Sequence, residues 1–144
     1  MLRRCPAYSA SNGNTGDADE EYAECVSVRA VNEAAIYKSF DEDAARQALR
    51  SLPQPWALKD PRFVHTIQSW LPLLAEYEPV LVWLVRDSKA VSESYRRRNE
   101  QVRFGMTVDE VVELAGKVFA AWPWGKVRVG YEELRAARGL FDVG

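Results

Sequence analysis

Histidine occurs once, at His65, and cysteine only twice, at Cys5 and Cys25. So small a stock of imidazole and thiol, with no C-x-x-C pair, leaves no donor cluster for a structural metal. The two cysteines are read as reduced thiols, the ordinary state inside a cell. The longest apolar run, Val80 to Val85, falls far short of the ~20 residues a membrane helix needs. No apolar stretch follows Met1-Leu2-Arg3-Arg4, so no secretory signal is expected. The net charge of −2 gives nucleic acid no electrostatic footing. A G-x-x-x-x-G-K-[ST] loop is absent as well, which argues against a nucleoside-phosphate kinase. These absences point to a cytoplasmic protein with no metal, no nucleic acid and no membrane among its partners.

What is present suits an α/β fold. A chain of 144 residues can bury a core without staples. Residues 1–20 are rich in Ser, Asn, Gly, Asp and Glu and are expected to be a flexible segment; residues 21–144 are expected to form one domain. Val28, Val31, Ala35 and Ile36 share one side of a helix predicted from Tyr22 to Tyr37. Ser39 and Glu42 have capping-box spacing ahead of the stripe Ala45, Ala48, Leu49 and Leu52, which Pro53 ends. Trp56-Ala57-Leu58 reads as a short buried strand. Asp60 and Pro61 then open a helix with Phe63, Val64, Ile67, Trp70, Leu71 and Leu74 on its apolar face, which Pro72 should kink or end.

The clearest strand is Pro79 to Val85, continuously apolar and therefore expected to be covered on both faces of a parallel sheet. A polar helix from Ser88 to Arg103 follows. Thr107 and Glu110 form a second capping box, before a helix whose stripe runs from Val108 to Trp122. Lys126 to Tyr131 is the last strand. Strands joined by helices imply a parallel sheet of about three strands with right-handed crossovers.

Arg86 and Asp87 come directly after the most apolar strand. In open α/β sheets ligands bind outside those strand ends, and the helix starting there presents free N–H groups and a positive dipole end. Arg86 adds a guanidinium fork suited to phosphate oxygens, and Ser92 and Ser94 add hydroxyls. These residue types in this order describe a phosphate site. Arg96-Arg97-Arg98 is either a solvated helix face or a positive field drawing an anion in.

The run from Val80 through Arg86-Asp87-Ser88 to Val91 and Ser94-Tyr95 resembles the sulfotransferase pattern of apolar strand, R-D-P, then x-x-V-x-x-S-Y. Ser88 stands where that family has proline, and can cap the helix. Lys59-Asp60-Pro61-Arg62 is similar to the family's K-[DST]-P-[RK], Trp70-Leu71-Pro72 to its W-L-P, and Tyr131-Glu132-Glu133-Leu134 to its Y-E-D-L. Glu24 and Asn32 match an E-x7-N segment of some members. The resemblance covers residues 56–134, starting near Glu24 at its widest. It implies a partial P-loop-NTPase-like fold that uses 3′-phosphoadenosine 5′-phosphosulfate (PAPS) as co-substrate, without a metal. It further implies that Arg86 and Ser94 hold the 3′-phosphate and that Lys59 lies near the transferred sulfuryl group. The acceptor would be a small molecule or glycan of unknown identity, sulfated on a hydroxyl or amine.

The family's 5′-phosphosulfate loop, G-x-x-R-S-G-T-S, has no counterpart here; Ser9 to Gly16 contains glycine but sits in a polar context. The catalytic base is unassigned. Some members carry a histidine two residues after the strand-end lysine, where this chain has Pro61, which leaves His65 and Lys59 as the candidates. Two readings follow: a sulfotransferase that transfers poorly as this chain alone, or a non-catalytic nucleotide-binding or vestigial fragment of that fold.

Overall fold

The computed structural model describes residues 25–98 and 105–141. Within them the chain is α/β, with six helices and a two-stranded parallel sheet. It divides into two compact units, Met1–Glu76 and Tyr77–Gly144.

Among the described residues the first unit holds three helices, α1 (Val26–Tyr37), α2 (Glu42–Ser51) and α3 (Phe63–Leu74). Helix α1 turns Val28, Val31 and Asn32 inward, and α2 turns Ala45, Ala48 and Leu49 inward. The cap of α2 is Asp41, whose Oδ1 accepts from the Ala44 N–H at 3.0 Å. Ser39 lies too far outside the helix for the cap expected of it, and a carboxylate also suits the dipole better. Helix α3 buries Thr66, Ile67, Trp70, Leu73 and Leu74. Phe40 and Phe63 meet the Trp70 ring edge-on, at 5.5 and 5.7 Å. Pro72 lies inside α3, but so near its end that only the last turn loses a donor.

Asn32 and Trp70 are both 0% exposed, and a polar network joins them. The Asn32 amide donates to Asp60 Oδ2 at 2.9 Å, while its oxygen accepts from Thr66 Oγ1 at 2.7 Å and Trp70 Nε1 at 2.8 Å. Asp60 Oδ1 accepts from the Arg62 backbone N–H at 2.9 Å and from its Nη1 at 3.0 Å. Arg62 Nη2 reaches Glu33 at 3.3 Å. Asp60 therefore supplies the helix-entry acceptor, although α3 begins at Phe63 rather than Pro61. Residues 56–58 form no strand. A strand needs a ladder partner, and among the described residues only β1 and β2 pair.

The second unit runs β1 (Leu81–Val85), α4 (Ser88–Arg97), α5 (Val108–Ala121), β2 (Lys126–Gly130) and α6 (Tyr131–Phe141). The strands pair in parallel from Leu81↔Lys126 to Val85↔Gly130. Trp83 packs on Phe119 of α5, their centroids 5.4 Å apart. The other face of β1 is open: Val82 and Leu84 are 59% and 49% exposed. This departs from the two-sided cover expected of an unbroken apolar run, because side chains alternate and α5 covers one side only.

Thr107 caps α5 as its spacing predicted, with Oγ1 accepting from the Glu110 N–H at 3.1 Å. Lys126 Nζ donates to the Phe119 and Ala120 carbonyls at 2.8 and 3.3 Å, closing the other end of α5. Trp122 Nε1 donates to the Pro79 carbonyl at 3.1 Å, tying the entry of β1 to the end of α5. Helix α4 is described to Arg97; residues 99–103 of the longer helix expected lie outside the described residues, as do residues 1–24. Among the described residues no helix is long and apolar enough to cross a membrane.

The Asn32 network makes a direct prediction. Asn32→Ala removes the partner of the Trp70 indole and one partner each of Asp60 and Thr66. Buried groups left unpaired cost about 1–3 kcal/mol each, so stability should fall by about 2–5 kcal/mol in chemical denaturation. Arg46→Ala, which breaks an exposed pair with Glu42, should cost under ~0.5 kcal/mol. Equal losses would show that the network does not hold this unit together.

Candidate functional site

Parallel pairing sends both strands out at one edge of the sheet. Because Val85 lies opposite Gly130, the next residues, Arg86 and Tyr131, leave that edge together. The Arg86 guanidinium lies over the Tyr131 ring, 4.5 Å from its centroid. Both strands lead straight into helices, α4 at Ser88 and α6 at Tyr131. Two helix N-termini thus open at one strand edge, each with unpaired N–H groups and the positive end of its dipole.

The chain meets part of this demand itself. Asp87, not Ser88, is the cap of α4, its Oδ2 accepting from the Ala90 N–H at 3.1 Å. Asp takes the role because Ser88 already has helical geometry. Glu132 and Glu133 occupy the first turn of α6. The Glu133 side chain folds back over Gly130, where an added Cβ would stand 3.3 Å from its Oε1.

Arg86 Nε is unmet. It is buried and makes no hydrogen bond, the one such side-chain atom among the described residues. A buried donor without an acceptor costs about 1–3 kcal/mol, and native structures hold few of them. Arg62 shows the contrast, with its donors taken by Asp60 and Glu33.

Ser94 lies on the half-buried side of α4 with Val91 and Tyr95, whereas Ser92 is exposed. Two residues of helix turn them about 200° apart. They face different surroundings, and one phosphate cannot take both hydroxyls without unwinding α4. The arginine cluster is partly committed. Arg96 donates to both oxygens of Glu93 at 2.6 Å, and Arg98 lies over Tyr95 at 5.3 Å. The exposed Arg96 guanidinium, by hydrogen bond and charge, holds the Glu93 carboxyl below its ordinary pKa.

Lys59 and His65 belong to the first unit. Lys59 is exposed in the irregular segment before α3, beside the buried Asp60; His65 is half-buried in the first turn of α3. Burial lowers the His65 pKa from its ordinary value of 6.5.

The structure brings together pieces that the sequence places far apart. Asn32, Asp60, Arg62 and Trp70 converge in the first unit, and Arg86 and Tyr131 in the second. The buried network of Asn32, Asp60 and Arg62 was missed from the sequence, where Asp60 reads only as a helix cap. Its one signal was Asn32 standing beside Val31, and four residues from Val28, on an apolar stripe. No protein family, characterised protein or solved structure matches the chain.

Burial of His65 fixes a sign for pH dependence. Its folded pKa lies below the unfolded value, so as pH falls the unfolded chain takes up the proton first. This contribution to stability is whole above pH 6.5 and is lost as pH falls from there toward the folded value. The thermal midpoint of the wild type should therefore drop more steeply below that pH than that of His65→Gln. Parallel curves would show that burial of His65 does not disfavour its charge.

Proposed function

We propose that this chain is a sulfotransferase-like protein of P-loop-NTPase-like fold that grips PAPS, or 3′-phosphoadenosine 5′-phosphate, by the 3′-phosphate. One observation carries the reading: the unmet Arg86 Nε at a strand edge where two helices begin. A phosphate oxygen there would satisfy the buried donor and meet the positive helix ends. Ser94 adds a hydroxyl from the half-buried side of α4. Ser92, turned the other way, is the weaker candidate. No metal enters this scheme, and it suits a cytoplasmic protein.

In its complete form such a protein transfers the sulfuryl group to a hydroxyl or amine of a small molecule or glycan. The acceptor gives up a proton, the bond from sulfur to the 5′-phosphate oxygen breaks, and 3′-phosphoadenosine 5′-phosphate leaves. Catalysis then rests on position and charge. The resemblance in sequence alone offers Lys59 for contact with the moving group and His65 for the base.

A second reading is a non-catalytic nucleotide-binding protein or a vestigial fragment. It is favoured by the fate of the Lys59–Arg62 segment, where Asp60 and Arg62 are taken up in the buried network.

Calorimetric titration tests the shared element of both. A hydrogen bond to a charged group is worth about 1.5–3 kcal/mol, so Arg86→Ala should weaken binding of 3′-phosphoadenosine 5′-phosphate roughly tenfold to a hundredfold. Ser94→Ala should weaken it less. Adenosine 5′-phosphate, without the 3′ group, should be nearly indifferent to either change. Arg97→Ala controls for general charge and should have a small, salt-sensitive effect. Unchanged affinity in Arg86→Ala would overturn the reading.

A further inference from the structure

An arginine at a strand end loses about 2 kcal/mol of side-chain freedom when it is fixed, so something must hold it if it is to wait for a ligand. A carboxylate partner would hold it by consuming its donors, as Asp60 and Glu33 do for Arg62. An aromatic ring holds it otherwise. The contact uses the face of the guanidinium, and the five N–H donors stay in the plane of the fork.

Tyr131 meets those requirements. Its backbone is fixed on both sides, by the β2 register that pairs Gly130 with Val85 and by the start of α6. Its ring lies 4.5 Å from the Arg86 guanidinium carbon, and it is half-buried. Among its described residues the second unit contains two other such arginine stacks, Arg98 over Tyr95 and Arg128 over Trp83, both at 5.3 Å. Arg98 spends its Nε on the Ser94 carbonyl at 3.4 Å. The Arg86 stack is the closer, and there the Nε has no acceptor.

We propose that Tyr131 is a positioning residue for the anion site: its ring face holds the Arg86 fork at the strand edge while leaving the donors for a phosphate. The inference rests on the reading of Arg86 as a phosphate-binding residue. It adds that the ring face matters and the Tyr131 hydroxyl does not.

The test is a double-mutant cycle in calorimetric titration with 3′-phosphoadenosine 5′-phosphate, with the thermal midpoint of each variant measured alongside. Tyr131→Leu should weaken binding roughly three- to tenfold and Tyr131→Phe less than twofold. In the Arg86→Ala background Tyr131→Leu should have no further effect, because its role runs through the arginine. A purely structural role would weaken both backgrounds alike, and that result would overturn the inference. Tyr131→Leu binding as tightly as wild type, with Arg86→Ala weakened, would also overturn it but leave the phosphate site standing. Wild type and Arg86→Ala binding alike would overturn both. Should Tyr131→Leu not fold, Arg86→Lys makes the test, since it keeps the charge and loses the flat fork. It should weaken binding at least threefold while Tyr131→Phe does not, and unchanged affinity in Arg86→Lys would contradict the role of the stack.

Discussion

A buried hydrogen-bonding group must find its partner inside the protein, and in the first unit a single amide answers that demand for several others. Asn32 sits on the inner stripe of α1 and bonds to Asp60, Thr66 and Trp70. It ties α1 to α3 and to the turn that opens α3. Hydrophobic packing alone would let the buried stripes of α1 and α3 slide past one another, because apolar contact has no direction. The amide supplies the direction, since each of its bonds holds at only one register. Arg62 extends the arrangement to Glu33, so the irregular chain between α2 and α3 is held by side chains where no sheet holds it.

The same requirement is left open in the second unit. Its strands pair in parallel, its turns carry their own caps, and Trp122 and Lys126 close the backbone around α5. Against that background Arg86 is an exception, stacked on a ring and left with a buried donor unmet. Proteins that hold such a donor lose stability by it, and binding sites are where that loss is returned when the ligand arrives. Asp87 and Glu133 already occupy part of the positive field at the two helix starts, so the attraction for the proposed phosphate rests chiefly on the Arg86 guanidinium.

Much of this was legible in the sequence where a signal is local. The β1 strand showed as an unbroken apolar run, α5 as a capping box with a stripe behind it, and Arg86 as the charge that ends the strand. The failures have one cause, which is that local pattern does not report partners. Trp56-Ala57-Leu58 has strand composition, but a strand exists only where another chain segment completes its ladder. Val82 and Leu84 look like core residues, yet their burial depends on what lies on the far side of the sheet. Asn32 beside an apolar stripe shows no structural role until Asp60, Thr66 and Trp70 arrive from 28 to 38 positions away. The stack of Tyr131 on Arg86 was hidden likewise, because it follows from a register between strands on either side of two helices.

We propose that the Arg86 Nε–H, buried without an acceptor, waits for a phosphate oxygen. The most direct measurement is the nitrogen–proton NMR correlation of arginine Nε groups, with the Arg86 signal assigned by its disappearance in Arg86→Lys. Titration with 3′-phosphoadenosine 5′-phosphate should move that signal downfield as a charged hydrogen bond forms, and adenosine 5′-phosphate should leave it in place. An Arg86 signal that stays put at saturating nucleotide, or moves equally with both ligands, would contradict the account.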